Sequence, residues 1–152
     1  MGDRADKAKE LFTEGYNCSQ SVLGAFADLF DMDFDLAMKV SEGLGGGMGR
    51  MRLTCGAVSS MSLIAGLKLG CADPKDLNNK TLVYAKVQEM ANTFREKNGS
   101  IICGELLGLT PAVNQSPVPE KRTSEYYKKR PCAECVKDCA LIIEEYLLSS
   151  EK

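Results

Sequence analysis

A chain of 152 residues with 44% hydrophobic and 26% charged side chains has the composition of a soluble globular protein with one sizeable core. Its 19 basic and 21 acidic residues leave a formal net charge of −2, which excludes a general electrostatic attraction to nucleic acid or anionic lipid. Histidine is absent, removing the commonest general base and metal ligand, whereas cysteine occurs seven times.

No apolar run approaches the roughly 18–20 residues of a membrane-spanning helix. The opening "MGDRADKAKE" does not read as a signal peptide, and Asp6 stands where a myristoylation motif requires Ser or Thr. The expected compartment is therefore the cytoplasm. In a reducing compartment, so many thiols point to metal binding or redox chemistry more than to a disulfide framework. Free cysteine also serves as a small buried hydrophobe, and Cys71 is equally open to that role.

Helical periodicity dominates the chain, and no convincing strand alternation interrupts it. Residues 4–14 predict a first helix with Ala5, Ala8, Leu11 and Phe12 on one side. A second starts after Asn17, a good N-cap with Gln20 at the capping-box position, and runs through Phe30. Asp33 or Asp35 opens a third, which carries Leu36, Ala37 and Val40 into the glycine run. Thr54 is the expected cap of a fourth helix, "CGAVSSMSLIAGLKLG". Lacking a charged face, this helix should be central and tightly packed.

"DPKD" predicts a long helix over about 74–97 with Asp73 as cap, ending at Gly99. Ser100 is the expected cap of a short helix, "IICGELLG". Residues 108–124 hold three prolines and read as a surface loop or lid. A final helix runs from Pro131 to about Leu148. The expectation is an all-α, single-domain multi-helix bundle over 1–152, with its central helix starting near Cys55.

On this map Cys18, Cys55, Cys103 and Cys132 all fall at helix starts. Unpaired N–H groups and the helix dipole there favour a thiolate, the form that attacks disulfides and binds metals. Cys132, Cys135 and Cys139 share one face of the last helix. The C-x-x-C after Pro131 suits a dithiol pair. The spacing also matches part of an iron–sulfur run, but Lys129 stands where another ligand would be and Ala140 replaces the usual proline. The three residues could equally form a core-facing stripe.

The segment "EGLGGGMGRMRLTCGAVSSM" (42–61) does not match nucleotide-binding patterns: no register gives G-x-G-x-x-G, and no G-K-[ST] completes a P-loop. Its glycines instead allow the backbone to pass close to its neighbours before the next helix. Arg50 and Arg52 are expected near Cys55, where they would favour its thiolate or, with Gly46 and Gly47, hold a small anion. A solvated surface location is the plainer alternative for both arginines.

The stretches "GYNCSQSVLGAF", "GLGGGMGRMRLTCGAVSS", "NGSIICGELLG" and "RPCAECV" together resemble the C-GCAxxG-C-C family of putative redox-active proteins. The similarity runs over about residues 10–147. The family's four cysteines correspond to Cys18, Cys55, Cys103 and Cys132. Its CGAxxG segment is Cys55-Gly56-Ala57-Val58-Ser59-Ser60, with Ser60 in place of the final glycine, which implies slightly looser packing at one helix contact. Cys71, Cys135 and Cys139 are additional to the pattern.

The resemblance implies a redox role, through thiol–disulfide or electron-transfer chemistry, without naming a substrate. Some proteins with such a domain are associated with iron–sulfur or haem electron transfer. Here Cys18, Cys55, Cys103 and Cys132 could instead ligate an iron–sulfur cluster, or less favourably zinc, with Cys135 as a further ligand. Haem attachment through C-x-x-C-H is excluded by the lack of histidine. A third reading is a small-anion-binding module built on Arg50, Arg52, Gly46 and Gly47. The expected partner is a redox protein or a small thiol or disulfide, not nucleic acid or a membrane, and homodimerisation stays open.

Overall fold

The computed structural model describes residues 2–109 and 116–149. Its helices are α1 (Asp3–Thr13), α2 (Cys18–Phe26), α3 (Phe34–Glu42), α4 (Gly56–Leu69), α5 (Leu77–Asn98), α6 (Cys103–Leu106), α7 (Ser124–Lys129) and α8 (Cys132–Ile143). A 3-10 turn, Ala27–Phe30, extends α2, and a π-helical turn, Glu144–Leu148, extends α8. The fold is all-α; among the described residues no strand forms, and the isolated bridge Thr54–Ile102 is antiparallel. No helix among them is long and apolar enough to cross a membrane.

Packing centres on α4. Gly56, Ala57, Val58, Ser60, Met61, Ile64 and Ala65 are all buried, so this helix has no single apolar stripe and is covered from several directions by α2, α5 and α8. Small side chains permit that close approach. A Cβ on Gly56 would lie 2.9 Å from the Leu44 carbonyl oxygen and 3.2 Å from the Ser19 nitrogen. Helix α1 buries Ala5, Ala8, Leu11 and Phe12, the spacing that its sequence predicts, against α2 and α8. Phe12, Leu23, Phe26, Met61, Ile64, Phe94 and Ile142 fill the core, each contributing on the order of 1.5–3 kcal/mol by leaving water.

Several boundaries follow local chemistry closely. Asn17 and Gln20 form a complete capping box, Asp33 accepts from the Leu36 N–H, and Gly99 ends α5 at φ 87°. Three expected caps are corrected. Cys55 itself, not Thr54, is the N-cap of α4, because Thr54 is held extended by its bridge to Ile102. Helix α5 begins after Asp76, whose carboxylate accepts from the Asn79 N–H, while Asp73 instead accepts from the Lys75 N–H in the preceding turn. Ile102 precedes α6, and Ser100 turns its hydroxyl to Glu105 at 2.6 Å while accepting from the Ile102 N–H.

The loop expected over 108–124 is only partly visible, since residues 110–115 lie outside those described. After 116–123, which form no regular structure, Thr123 caps the unforeseen α7 by accepting from the Tyr126 N–H.

Candidate functional site

Four separate helix starts deliver sulfur to one place. Cys18, Cys103 and Cys132 are the first residues of α2, α6 and α8, and Cys55 caps α4. All four line a single small cavity of about 50 Å³, together with Cys135. The capping box at Asn17 sets the first turn of α2. The Ser60 hydroxyl then donates to the Ser19 carbonyl at 2.6 Å, tying α4 to α2 beside Cys18. Thus the serine that replaces the family glycine adds a buried interhelical hydrogen bond where looser packing was expected.

The glycine run positions the other two sulfurs. Cys55 N–H donates to the Ile101 carbonyl at 2.7 Å, and Cys103 N–H to the Leu53 carbonyl at 2.6 Å. These bonds clamp the start of α6 against the chain entering α4. Gly46, Gly47 and Gly49 take φ of 66°, 73° and 59°, and Met48, Arg50 and Arg52 also lie in the left-handed region. Such a run coils the backbone tightly beneath Cys103. A Cβ on Gly47 would stand only 2.6 Å from the Cys103 Cβ, so the close approach requires glycine.

All seven cysteines are free thiols, and their surroundings separate them sharply. The Cys132 sulfur is lowered to about 7, first by a hydrogen bond from the Cys18 thiol, against the opposing effect of burial, with Arg130, Arg52 and Arg122 adding positive charge. Cys18 is correspondingly raised well above the ordinary thiol range, because donating to Cys132 requires its proton, and burial adds to this. The pair is therefore one thiolate solvated by one thiol.

Cys55 departs from expectation. Burial pushes it up to about 12, although the Val58 and Ala57 backbone N–H groups act in the opposite direction. The helix terminus is present, but desolvation outweighs it. Of the arginines expected beside Cys55, Arg52 lines the cavity with it and donates to the Cys103 sulfur at 3.6 Å, and Arg50 pairs with Glu120 at 3.5 Å. Burial raises Cys103 even so, with Arg52 opposing it. Cys135 and Cys139 are buried and raised by desolvation, and of the two only Cys135 reaches the cavity beside Cys132. Cys71 is exposed beyond the end of α4, near Asp73 and Asp76, and takes no part in the cavity.

Gly46, Gly47 and Arg52 also line the cavity. Two further cations there, Arg122 and Arg130, went unrecognised as site residues. Arg122 donates to the carbonyls of Phe12 at 2.8 Å and Tyr16 at 2.9 Å, and its guanidinium lies 4.5 Å from the Phe12 ring centroid. Arg130 stacks 4.6 Å over Tyr126 and is paired with Glu120. Both belong to "KRTSEYYKKRPC", where the Tyr126-Tyr127 pair between two arginines just before Cys132 was the available signal.

Among the described residues, no group of three or more Cys, Asp or Glu side chains is arranged to hold a metal ion.

Comparison with curated proteins and with solved structures finds no match. Comparison with protein families finds one over residues 16–146, described as "Putative redox-active protein (C_GCAxxG_C_C)". That span covers most of the chain and contains all four convergent cysteines, so the protein belongs to the C_GCAxxG_C_C family.

Proposed function

We propose that the protein performs thiol–disulfide exchange, with Cys132 as nucleophile and Cys18 as resolving thiol. The observation that carries this reading is the meeting of Cys18 and Cys132 in one cavity beside Arg52, Arg122 and Arg130, where the Cys132 thiol is lowered and the Cys18 thiol raised. A thiol titrating near neutrality combines a substantial thiolate fraction with good nucleophilicity.

The Cys132 thiolate attacks one sulfur of a substrate disulfide, forming a Cys132–substrate mixed disulfide and expelling the other half as a thiolate. Cys18 then loses its proton to solvent and attacks the Cys132 sulfur. This forms the Cys18–Cys132 disulfide and releases the second substrate thiolate, which takes up a proton. Two electrons pass from the protein dithiol to the substrate disulfide, and the reverse sequence oxidises a substrate dithiol. Once Cys132 is engaged in the mixed disulfide, its charge no longer holds the Cys18 proton, which frees the resolving thiol to react. Cys55 and Cys103 complete the same cavity as protonated thiols.

Trapping the intermediate tests this assignment. Cys18→Ser should accumulate a mixed disulfide at Cys132 with a small disulfide, whereas the unaltered chain should resolve it to Cys18–Cys132, both read by peptide mass spectrometry. A mixed disulfide at another cysteine, or none, would refute the assignment.

A further inference from the structure

A second and much larger cavity, of about 480 Å³, adjoins the cysteine cavity and shares Arg52, Arg122, Arg130 and Tyr126 with it. Its volume is that of a small-molecule site. Its charge is unbalanced in a chain that is acidic as a whole: Arg50, Arg52, Arg122 and Arg130 face it, against Glu42 and Glu120. These arginines come from two distant segments, the glycine run and the stretch flanking α7, and only the fold gathers them.

The cavity already displays the chemistry it accepts. The Glu120 carboxylate sits between Arg50, at 3.5 Å, and Arg130, so an anionic group is bridged by two guanidinium groups at the edge of the cavity. Glu120 reaches there from the irregular segment before α7, and its side chain stays 47% exposed. A carboxylate on such a segment is exchangeable for one supplied by a ligand, because each arginine would keep its charge-assisted hydrogen bond. Cys132 lines the adjoining cavity, which shares Arg130 and Tyr126 with this one.

We infer that the substrates of Cys132 are small disulfides bearing carboxylates, anchored by Arg50 and Arg130 where Glu120 now sits. This rests on the exchange reading above. The anchored carboxylate would hold one half of the disulfide while Cys132 attacks its sulfur, and the electron balance is that of the exchange already given. Arg130 thereby serves twice, lowering Cys132 and selecting an anionic partner.

Two measurements test the inference separately from the exchange reading. Binding of S-methylglutathione, which carries the carboxylates but cannot exchange, is followed by calorimetry on the full reduced chain. Saturable binding is expected, weakened about fivefold to tenfold by Arg50→Gln and by raised salt, and tightened by Glu120→Gln. No saturable binding at millimolar concentration, or binding indifferent to both substitutions, would overturn the anchor.

Exchange rates are then compared for oxidised glutathione, neutral hydroxyethyl disulfide and cationic cystamine. The anionic disulfide should react about tenfold faster than the cationic one at low salt, and Arg50→Gln should lower the anionic-to-neutral rate ratio. Equal rates for all three would overturn the substrate class while leaving exchange intact. Binding of S-methylglutathione without reduction of even the neutral disulfide would instead refute exchange and, with it, the substrate assignment.

Discussion

Cys18 and Cys132 line one cavity, and their mutual influence lowers the Cys132 thiol while raising the Cys18 thiol. Each begins a different helix, and neither partner could be perturbed in this way alone. The alkylation profile of Cys132 should accordingly show a midpoint near pH 7, with rates low below it, where the sulfur is protonated, and level above it. Cys18→Ala should move that midpoint upward by about one unit, since the first-ranked stabilising contact is removed. Iodoacetamide modification followed residue by residue by mass spectrometry measures both; a midpoint that ignores residue 18 would break the pairing argument.

Charge provides the second lever on the same sulfur. Arg130 is the foremost of the cations that lower Cys132, whereas Arg50 is not among its main influences. Arg130→Gln should therefore raise the midpoint by roughly half a unit to one unit, and Arg50→Gln should move it less. Adding salt should also shift it upward, as screening weakens the arginines. Equal effects of the two substitutions would mean that no specific placement of Arg130 matters.

Desolvation makes Cys55 the slow thiol despite its place at the start of α4. At pH 7.5 it should resist alkylation in the folded chain and react only when denaturant exposes it. Cys71→Ser, beyond the opposite end of the same helix, should leave Cys18–Cys132 disulfide formation unchanged. Rapid modification of native Cys55 would show the helix terminus outweighing burial.

Ser60 offers a stability test. Ser60→Ala deletes the hydroxyl that donates to Ser19 and should cost about 1–2 kcal/mol, because the Ser19 carbonyl loses its partner in a buried place. Ser60→Gly, which restores the family's residue, should cost about 1 kcal/mol more through helix propensity. Urea unfolding of the two variants orders them; a Ser60→Gly chain as stable as the unaltered one would remove the role assigned to that bond.

Within the glycine run, position decides the penalty. Gly47→Ala meets the Cys103 Cβ and Leu53 nitrogen at 2.6 Å and adopts φ 73°, so it should cost more than about 2 kcal/mol and disturb Cys103. Gly49→Ala has a φ of 59° but no atom within 4 Å, and should cost only about 1 kcal/mol. Thermal unfolding by circular dichroism separates the two; similar losses would show that strain, rather than the contact with Cys103, governs the loop.

The helices and the ends set by Asn17, Asp33 and Gly99 were legible because capping and periodicity act within four residues. So was the placement of Cys18, Cys55, Cys103 and Cys132 at helix starts, although the caps expected before Cys55 and Cys103 were not the ones formed. Thr54 and Asp73 were misjudged as caps because the bridge from Ile102 and a turn closing on Lys75 competed for them.

Which thiol carries charge was decided by tertiary structure alone. A helix terminus is a local influence that Cys18, Cys55 and Cys132 share, whereas burial and neighbouring charge differ at each. Arg122 and Arg130 act on Cys132 from the stretch before it, and Arg52 reaches it from the glycine run. Cys18, from the far end of the chain, supplies the proton that Cys132 does without. Desolvation and Coulomb forces depend on distance in space, and those distances exist only once α2, α4, α6 and α8 have packed.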